Sequence, residues 1–242
     1  MSGSAIVIGV GVPAGLGAAL CRRFASEGLQ VFAAGRTKEK LERVAEEIGR
    51  AGGSAIPVVM DTTVEDEVIR LFDSVEDRVG APETVVYNAG NNQFRPLLEM
   101  DAQFWEGLWR LCCFGGFLAG REAARRMLPR GGGTLIFSGA TASLRARPPF
   151  TAFASAKAAL RALAHGMARE FGPHGLHVAH VIIDGVIDGD QVNERFPQIK
   201  EQRGEDGMLS PDAIAAAYWD LHRQDRTAWT LELDLRPYKE TF

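Results

Sequence analysis

The residues of this chain that could carry chemistry fall into two groups. One is Gly9-Val10-Gly11-Val12-Pro13-Ala14-Gly15-Leu16-Gly17, set between an apolar run and an amphipathic one. Glycines let the backbone turn sharply and approach a pyrophosphate closely. A helix N-terminus behind them offers free N–H groups and the positive end of a dipole. The same residues also suit a tight strand-to-helix turn with no ligand, and a lone glycine motif does not separate the two. The other group is Phe153-Ala154-Ser155-Ala156-Lys157. It sets an aromatic ring and an amine four residues apart, on one side of a helix. The ring has no proton to give.

The remaining candidates are weaker. His174, His177 and His180 flank one strand pattern without a metal-like pairing to acids or cysteines, so packed or solvated imidazoles are expected and no metal is assigned. Cys21, Cys112 and Cys113 suggest neither a disulfide framework nor a metal cluster; Cys112 and Cys113 lie in an apolar run and read as small buried hydrophobes. Arg145 and Arg147 precede Phe153 and would either attract an anionic substrate or sit as surface charges.

These residues need a frame, and the hydrophobic pattern supplies one. Ala5–Gly9 is a continuous apolar run, as expected of a parallel strand covered on both faces. Gly15–Glu27 follows as a helix with Leu16, Leu20 and Phe24 on one face. The alternation continues with strand Val31–Ala34, helix Lys38–Arg50, strand Ala55–Met60, helix Val64–Arg78 and strand Thr84–Tyr87. Next come one long helical stretch, Asp101–Met127, a strand Thr134–Phe137, a helix Thr151–Glu170 and a strand His177–Ile183. A helix Pro211–His222 opens on Ser210 as N-cap with Pro211 at its first position, and Trp229–Leu235 reads as a last strand. Strand–helix alternation throughout predicts an α/β fold with a doubly wound parallel sheet, helices on both faces, in one domain over residues 1–242. Asp188–Leu209 breaks the pattern: polar and interrupted by Pro197, Gly204 and Gly207, it predicts a loop or short helices over the site.

Composition narrows the function classes. With 46% hydrophobic and 24% charged residues the chain reads as globular. A net charge of −4 with no basic stripe argues against nucleic acid as partner. No apolar stretch has the length of a membrane span, and no leader pattern is present, so a cytoplasmic protein is expected.

Taken in order, the motifs resemble those of the short-chain dehydrogenase/reductase family. Gly11-x-x-x-Gly15-x-Gly17 matches its cofactor loop, with Leu16 inside it. Tyr87-Asn88-Ala89-Gly90 is similar to the family's Asn-Asn-Ala-Gly after the fourth strand, and Asp61 matches the acid placed near the adenine. Phe153-x-x-x-Lys157 stands at the position of Tyr-x-x-x-Lys, and Asp184-Gly185 where the family has Pro-Gly. The resemblance covers almost the whole chain. It implies a Rossmann-type sheet of about seven strands, a homodimer or homotetramer, and a nicotinamide cofactor. The expected interfaces are the helices Asp101–Met127 and Thr151–Glu170 and the terminal segment Trp229–Phe242.

The resemblance also implies which cofactor. The carboxylate that would accept the ribose hydroxyls of NAD falls on Gly35, and Arg36 follows. A guanidinium suits a 2′-phosphate, so NADP(H) is favoured over NAD(H), with Lys38 assisting. In the family a tyrosine moves the proton, a lysine contacts the nicotinamide ribose, a serine orients the carbonyl and an asparagine holds a relay water. Lys157 is present. The tyrosine position holds Phe153, the serine position Ala140 and the asparagine position Cys112. Ser138, Thr141 or Ser143 would substitute only if the loop shifts. The enoyl-reductase spacing puts the tyrosine at Phe150, again a phenylalanine. Tyr87, Tyr218 and Tyr238 are not expected to reach the nicotinamide. Asp184, with Asp188 and Asp190 beyond it, is a speculative replacement acid, and a turn cap is the competing reading. Dienoyl-CoA reductases of the same family lack the tyrosine and reduce conjugated systems. The expectation is therefore an NADP(H)-dependent oxidoreductase with a non-standard site. The rival is a non-catalytic NADP(H)-binding sensor or scaffold.

Overall fold

The computed structural model describes residues 3–240. Seven strands form one sheet: β1 (Ser4–Ile8), β2 (Gln30–Gly35), β3 (Ser54–Val59), β4 (Thr84–Tyr87), β5 (Gly133–Ser138), β6 (Leu176–Ile183) and β7 (Glu232–Leu235). Their order is β3-β2-β1-β4-β5-β6-β7, with every pairing parallel. The central strands β1, β4 and β6 are buried residue by residue. That explains why their sequences are mostly apolar rather than alternating, with His177 and His180 as the polar residues inside β6.

Two cores lie on either side of the sheet. Helices α1 (Leu16–Ser26), α2 (Lys38–Arg50) and α9 (Pro211–His222) cover one face, through Leu20, Phe24, Leu41, Val44, Ile214 and Tyr218. Helices α3 (Glu65–Val79), α5 (Gly115–Met127) and α6 (Thr151–Phe171) cover the other, through Phe72, Leu118, Met127, Leu160 and Met167. This is the doubly wound, Rossmann-type architecture that the alternation predicts.

Two expectations need correction. The single helix expected over Asp101–Met127 is interrupted. Helix α4 (Ala102–Trp109), capped by the Asp101 carboxylate on the Phe104 N–H at 2.7 Å, runs into a π-helical turn at Arg110–Phe114 before α5 begins. Periodicity cannot show one inserted residue when the apolar run is as dense as Leu111-Cys112-Cys113-Phe114. The Tyr87 hydroxyl donates to the Leu111 carbonyl at 2.5 Å, which satisfies a group that the turn displaces. The last strand is only Glu232–Leu235; residues 229–231 precede it. Within Asp188–Leu209 the chain forms α7 (Asp190–Arg195) and α8 (Pro197–Arg203). Helix Pro211–His222 has the expected bounds, and the Ser210 hydroxyl accepts from the Ala213 N–H. No described helix is long and apolar enough to cross a membrane.

Candidate functional site

Because all seven strands run the same way, the loops after β1, β2, β4, β5 and β6 share one edge of the sheet, the edge where such folds place ligands. The glycine segment crosses it between β1 and α1. A Cβ on Gly17 would lie 2.7 Å from the Gly9 carbonyl oxygen and 2.9 Å from the Val10 Cα. Helix α1 can therefore sit this close to β1 only with glycine there. A Cβ on Gly11, in contrast, would meet nothing within 4 Å, so this residue faces open space. Helix α1 starts on Gly15 with no side-chain cap and no acid in its first turn. Side chains cap α4 and α9, whereas α2, α3 and α6 share the uncapped start, so it is the glycine backbone ahead of α1 that sets this terminus apart. The N-terminus of α1 thus leaves its N–H groups and dipole uncommitted beside an open backbone, as an anionic pyrophosphate requires. These residues fit a dinucleotide.

Around this cradle stand the other expected cofactor residues. The Asn88 side chain donates to the Gly9 carbonyl at 3.3 Å and its backbone N–H to Ile8 at 2.8 Å, tying the end of β4 to the end of β1. Asp61 accepts from the N–H and hydroxyl of Thr63, both at 2.8 Å. The Met60 N–H bonds the Gly35 carbonyl, which brings Asp61 beside the end of β2. Arg36 is exposed there and makes no ion pair among the described residues. Lys38 is also exposed and pairs with Glu42 at 3.6 Å. Gly35 has a second reason to be glycine: a Cβ would lie 2.5 Å from the Val10 carbonyl oxygen. Sequence reasoning saw only the missing carboxylate at this position. Gly185 sits under Pro237, 2.9 Å from where its Cβ would be.

The structure brings the expected catalytic positions together, and the cluster they make is apolar. Phe153, Cys112 and Ala156 are buried against one another, with Ala140 and Ala142 packed on them. Lys157 lies beside this cluster, 4% exposed, its Nζ donating to the Ser138 carbonyl at 2.7 Å and standing 5.8 Å from the Phe153 ring centroid. Burial lowers its pKa from the ordinary lysine value. A Cβ on Gly90 would be 3.2 Å from this Nζ and 3.8 Å from the Cys112 sulfur, so Gly90, Lys157 and Cys112 meet at one point.

The hydroxyls near Ala140 are directed elsewhere. Ser138 faces the opposite core and bonds the buried Tyr218 hydroxyl at 2.8 Å. Thr141 donates to Asp184 at 2.5 Å. Ser143 accepts the Ala140 N–H at 3.1 Å and lies 3.5 Å from His180 Nε2. His180 continues through Nδ1 to Glu232 at 3.1 Å, and Glu232 is held by Arg161 at 2.6 and 2.8 Å and by His165 at 3.1 Å. Burial pushes His180 down to about 4, while the Arg161 fork pulls Glu232 down to about 2. This network was not predicted. Its one sequence signal is His180 in the middle of a mainly apolar strand, where a buried imidazole requires a partner.

Asp184 is buried, and Arg145 meets both its oxygens at 3.0 Å. Asp188 pairs with Asn193 and Lys200 on the segment that follows. Among the other candidates, His177 stacks on Trp229 with centroids 4.8 Å apart, and Cys21, Cys112 and Cys113 are all buried, as packed side chains should be. Phe150 packs at a tilt against Phe94, ring centroids 5.3 Å apart, across the loops after β4 and β5. Tyr87 and Tyr218 are core residues, and Tyr238 is exposed.

Comparison with known proteins agrees with this fold. Residues 5–200 match the short chain dehydrogenase family. A short-chain dehydrogenase from Rhodopseudomonas palustris superposes with a TM-score of 0.84 at 39% identity, covering 98% of this chain and 99% of the other. A metagenomic short-chain oxidoreductase in complex with NADP superposes with a TM-score of 0.83 at 26% identity, covering 97% of each chain. An uncharacterized oxidoreductase of Bacillus subtilis, YuxG, is 33% identical over 217 residues, 88% of this chain. The chain spans only 30% of that relative's length. The chain belongs to the short-chain dehydrogenase/reductase family of oxidoreductases.

Proposed function

We propose that this chain binds NADP(H) in preference to NAD(H) and acts as an oxidoreductase without the family's acid, having Phe153 in the tyrosine position and Ala140 in the serine position. One cofactor domain over residues 1–242 would do this, with 188–209 as the substrate segment. Gly11, Gly15, Leu16 and Gly17 hold the pyrophosphate, Asp61 and Asn88-Ala89-Gly90 flank the adenosine and nicotinamide halves, and Gly185 closes the far side. Arg36 meets the 2′-phosphate and Lys157 the nicotinamide ribose. When bound, the nicotinamide supplies hydride transfer; the chain binds, orients and excludes water.

The observation that carries this reading is the open glycine backbone at Gly11 ahead of α1, with Arg36 exposed after β2 and in no ion pair among the described residues. Calorimetry tests it. NADPH should bind more tightly than NADH, and silence with both would sink the reading. The exposed Trp105, Trp109 and Phe117 of α4 and α5 support a homodimer or homotetramer built on that face.

The apolar cluster of Cys112, Phe153 and Ala156 favours a second reading, a non-catalytic sensor or scaffold that binds the same cofactor. A screen of aldehydes, ketones and enones with NADPH separates the two. Turnover of any of them supports the first reading, and none at all supports the second.

A further inference from the structure

We propose that the cleft between α1, α2 and α9 is a second ligand site, which takes a small monocarboxylic acid with an apolar tail. The cleft encloses about 320 Å³, at the lower end of the roughly 300–1,000 Å³ of small-molecule sites. No residue of the glycine segment or of the loops after β4, β5 and β6 lines it. It is therefore separate from the cofactor edge and does not depend on a dinucleotide. It also lies outside the helices and the terminal segment in which subunit contacts are expected.

The floor is apolar and made mainly of short side chains. Ala19 and Ala25 of α1, Ile48 of α2 and Ala215 of α9 are all buried there. Methyl groups where three helices meet leave a space that an alkyl chain can fill, and removing that chain from water drives binding.

The rim carries the charges. Arg22 and Arg23 stand on it with Glu47 and Asp212. Arg22 reaches Asp212 at 3.4 Å and Glu47 at 3.9 Å, both longer than the about 2.7–2.9 Å at which a charge-assisted contact settles. Its short bond, 2.7 Å from Nη1, goes to the Pro13 carbonyl, which brings it no negative charge. Pairs this loose between exposed or partly exposed side chains contribute little, so a ligand carboxylate can displace them. Arg23 bonds Glu27 at 2.9 Å through Nη2, while its Nε is buried with no hydrogen-bond partner among the described residues. Leaving such a donor unpaired is costly, and a carboxylate oxygen would satisfy it. Neither Glu47 nor Asp212 has a buried oxygen without a partner, so what the cleft lacks is an acceptor, and this decides for an anion over a cation. The carboxylate end of the ligand meets the fork of Arg22 and the Nε of Arg23, and the tail lies on the alanines.

The test is calorimetry of the wild-type full chain at pH 7, without dinucleotide, with sodium octanoate as the probe. Octanoate should bind with a Kd on the order of 1 mM, as expected for a ligand of its size. 1-Octanol and octylamine, which keep the tail and change the head, should bind at least about tenfold more weakly. Arg22→Ala, with the fold checked by circular dichroism, should lose about tenfold in octanoate affinity. Ala51 lines the cleft and is exposed, so Ala51→Phe fills the space without disturbing the core and should abolish binding; it keeps the test open should Arg22→Ala fail to fold. Silence with octanoate well above that Kd would overturn the proposal. So would octanol or octylamine binding as tightly as octanoate, or octanoate binding that a folded Arg22→Ala or Ala51→Phe leaves unchanged.

Discussion

The two halves of the ligand edge are built on opposite terms. Around β1, β2 and β4 side chains are withheld: Gly17 and Gly35 each leave room for a backbone atom that a Cβ would strike, and Gly11 opens onto empty space. Around β5 and β6 side chains fill the space. Phe153, Cys112 and Ala156 pack together, and the polar groups nearby are tied off in pairs such as Arg145 with Asp184 and His180 with Glu232. One half is an open glycine-lined backbone ahead of a helix N-terminus. The other is a closed interior with one buried amine at its border. The edge can be open in one half and filled in the other because the two halves are built from different strands and loops.

The most demanding way to break this contrast is to return the hydroxyls to the closed half. Phe153→Tyr combined with Ala140→Ser should raise NADPH-dependent aldehyde reduction by about 10²–10⁴-fold, the usual worth of a positioned general acid. Steady-state assays of the double variant check this, and no gain would mean that the closed half does not aim a substrate at the cofactor.

Acid should loosen the closed half before the open one. His180 and Glu232 are both held below their ordinary values, from 6.5 to about 4 and from 4.5 to about 2. The unfolded chain therefore binds more protons than the folded one. Stability is complete above pH 6.5, falls toward pH 4 as His180 must charge, and falls again between pH 4.5 and 2 as Glu232 is neutralised. The His180 step should amount to on the order of 3 kcal/mol. Urea unfolding at pH 7, 5.5 and 4 should show it, and His180→Gln should flatten the slope in that range.

In the open half, Gly35→Asp tests whether the absent carboxylate is a matter of preference or of space. Its Cβ would sit 2.5 Å from the Val10 carbonyl oxygen. The variant should lose about 1–3 kcal/mol of stability without a gain in NADH affinity, measured by thermal unfolding and calorimetry. The smallest effect is expected from Arg36→Ala, which should cost about tenfold in NADPH affinity, near the lower end for a hydrogen bond to a charged group, and leave NADH unchanged.

How much of this was legible beforehand differs between the halves in the same way. The glycine spacing and the apolar strands specify the cradle locally. A turn that must pass close to a helix end has few sequences, and the residues concerned are neighbours in the chain. The π-helical turn at Arg110–Phe114 was not legible, since an apolar run gives the same periodicity with or without it. The pairing of Arg145 with Asp184, and the chain from Arg161 through Glu232 and His180 to Ser143, join residues up to 71 positions apart. Charge and hydroxyl count alone do not say which of Ser138, Thr141 and Ser143 faces which core.

By itself, then, the sequence determined an alternating α/β chain with a glycine-rich turn after its first strand, an arginine following its second strand, and Phe153 four residues before Lys157. These are properties of short segments, set by local periodicity and residue type. The tertiary structure decided that Ala140, Cys112 and Phe153 close into an apolar cluster, that Asp184 is ion-paired, and that Lys157 is buried against an exposed Gly90. Burial and partner choice depend on which distant segments the parallel sheet brings to one edge, and local pattern contains no record of that.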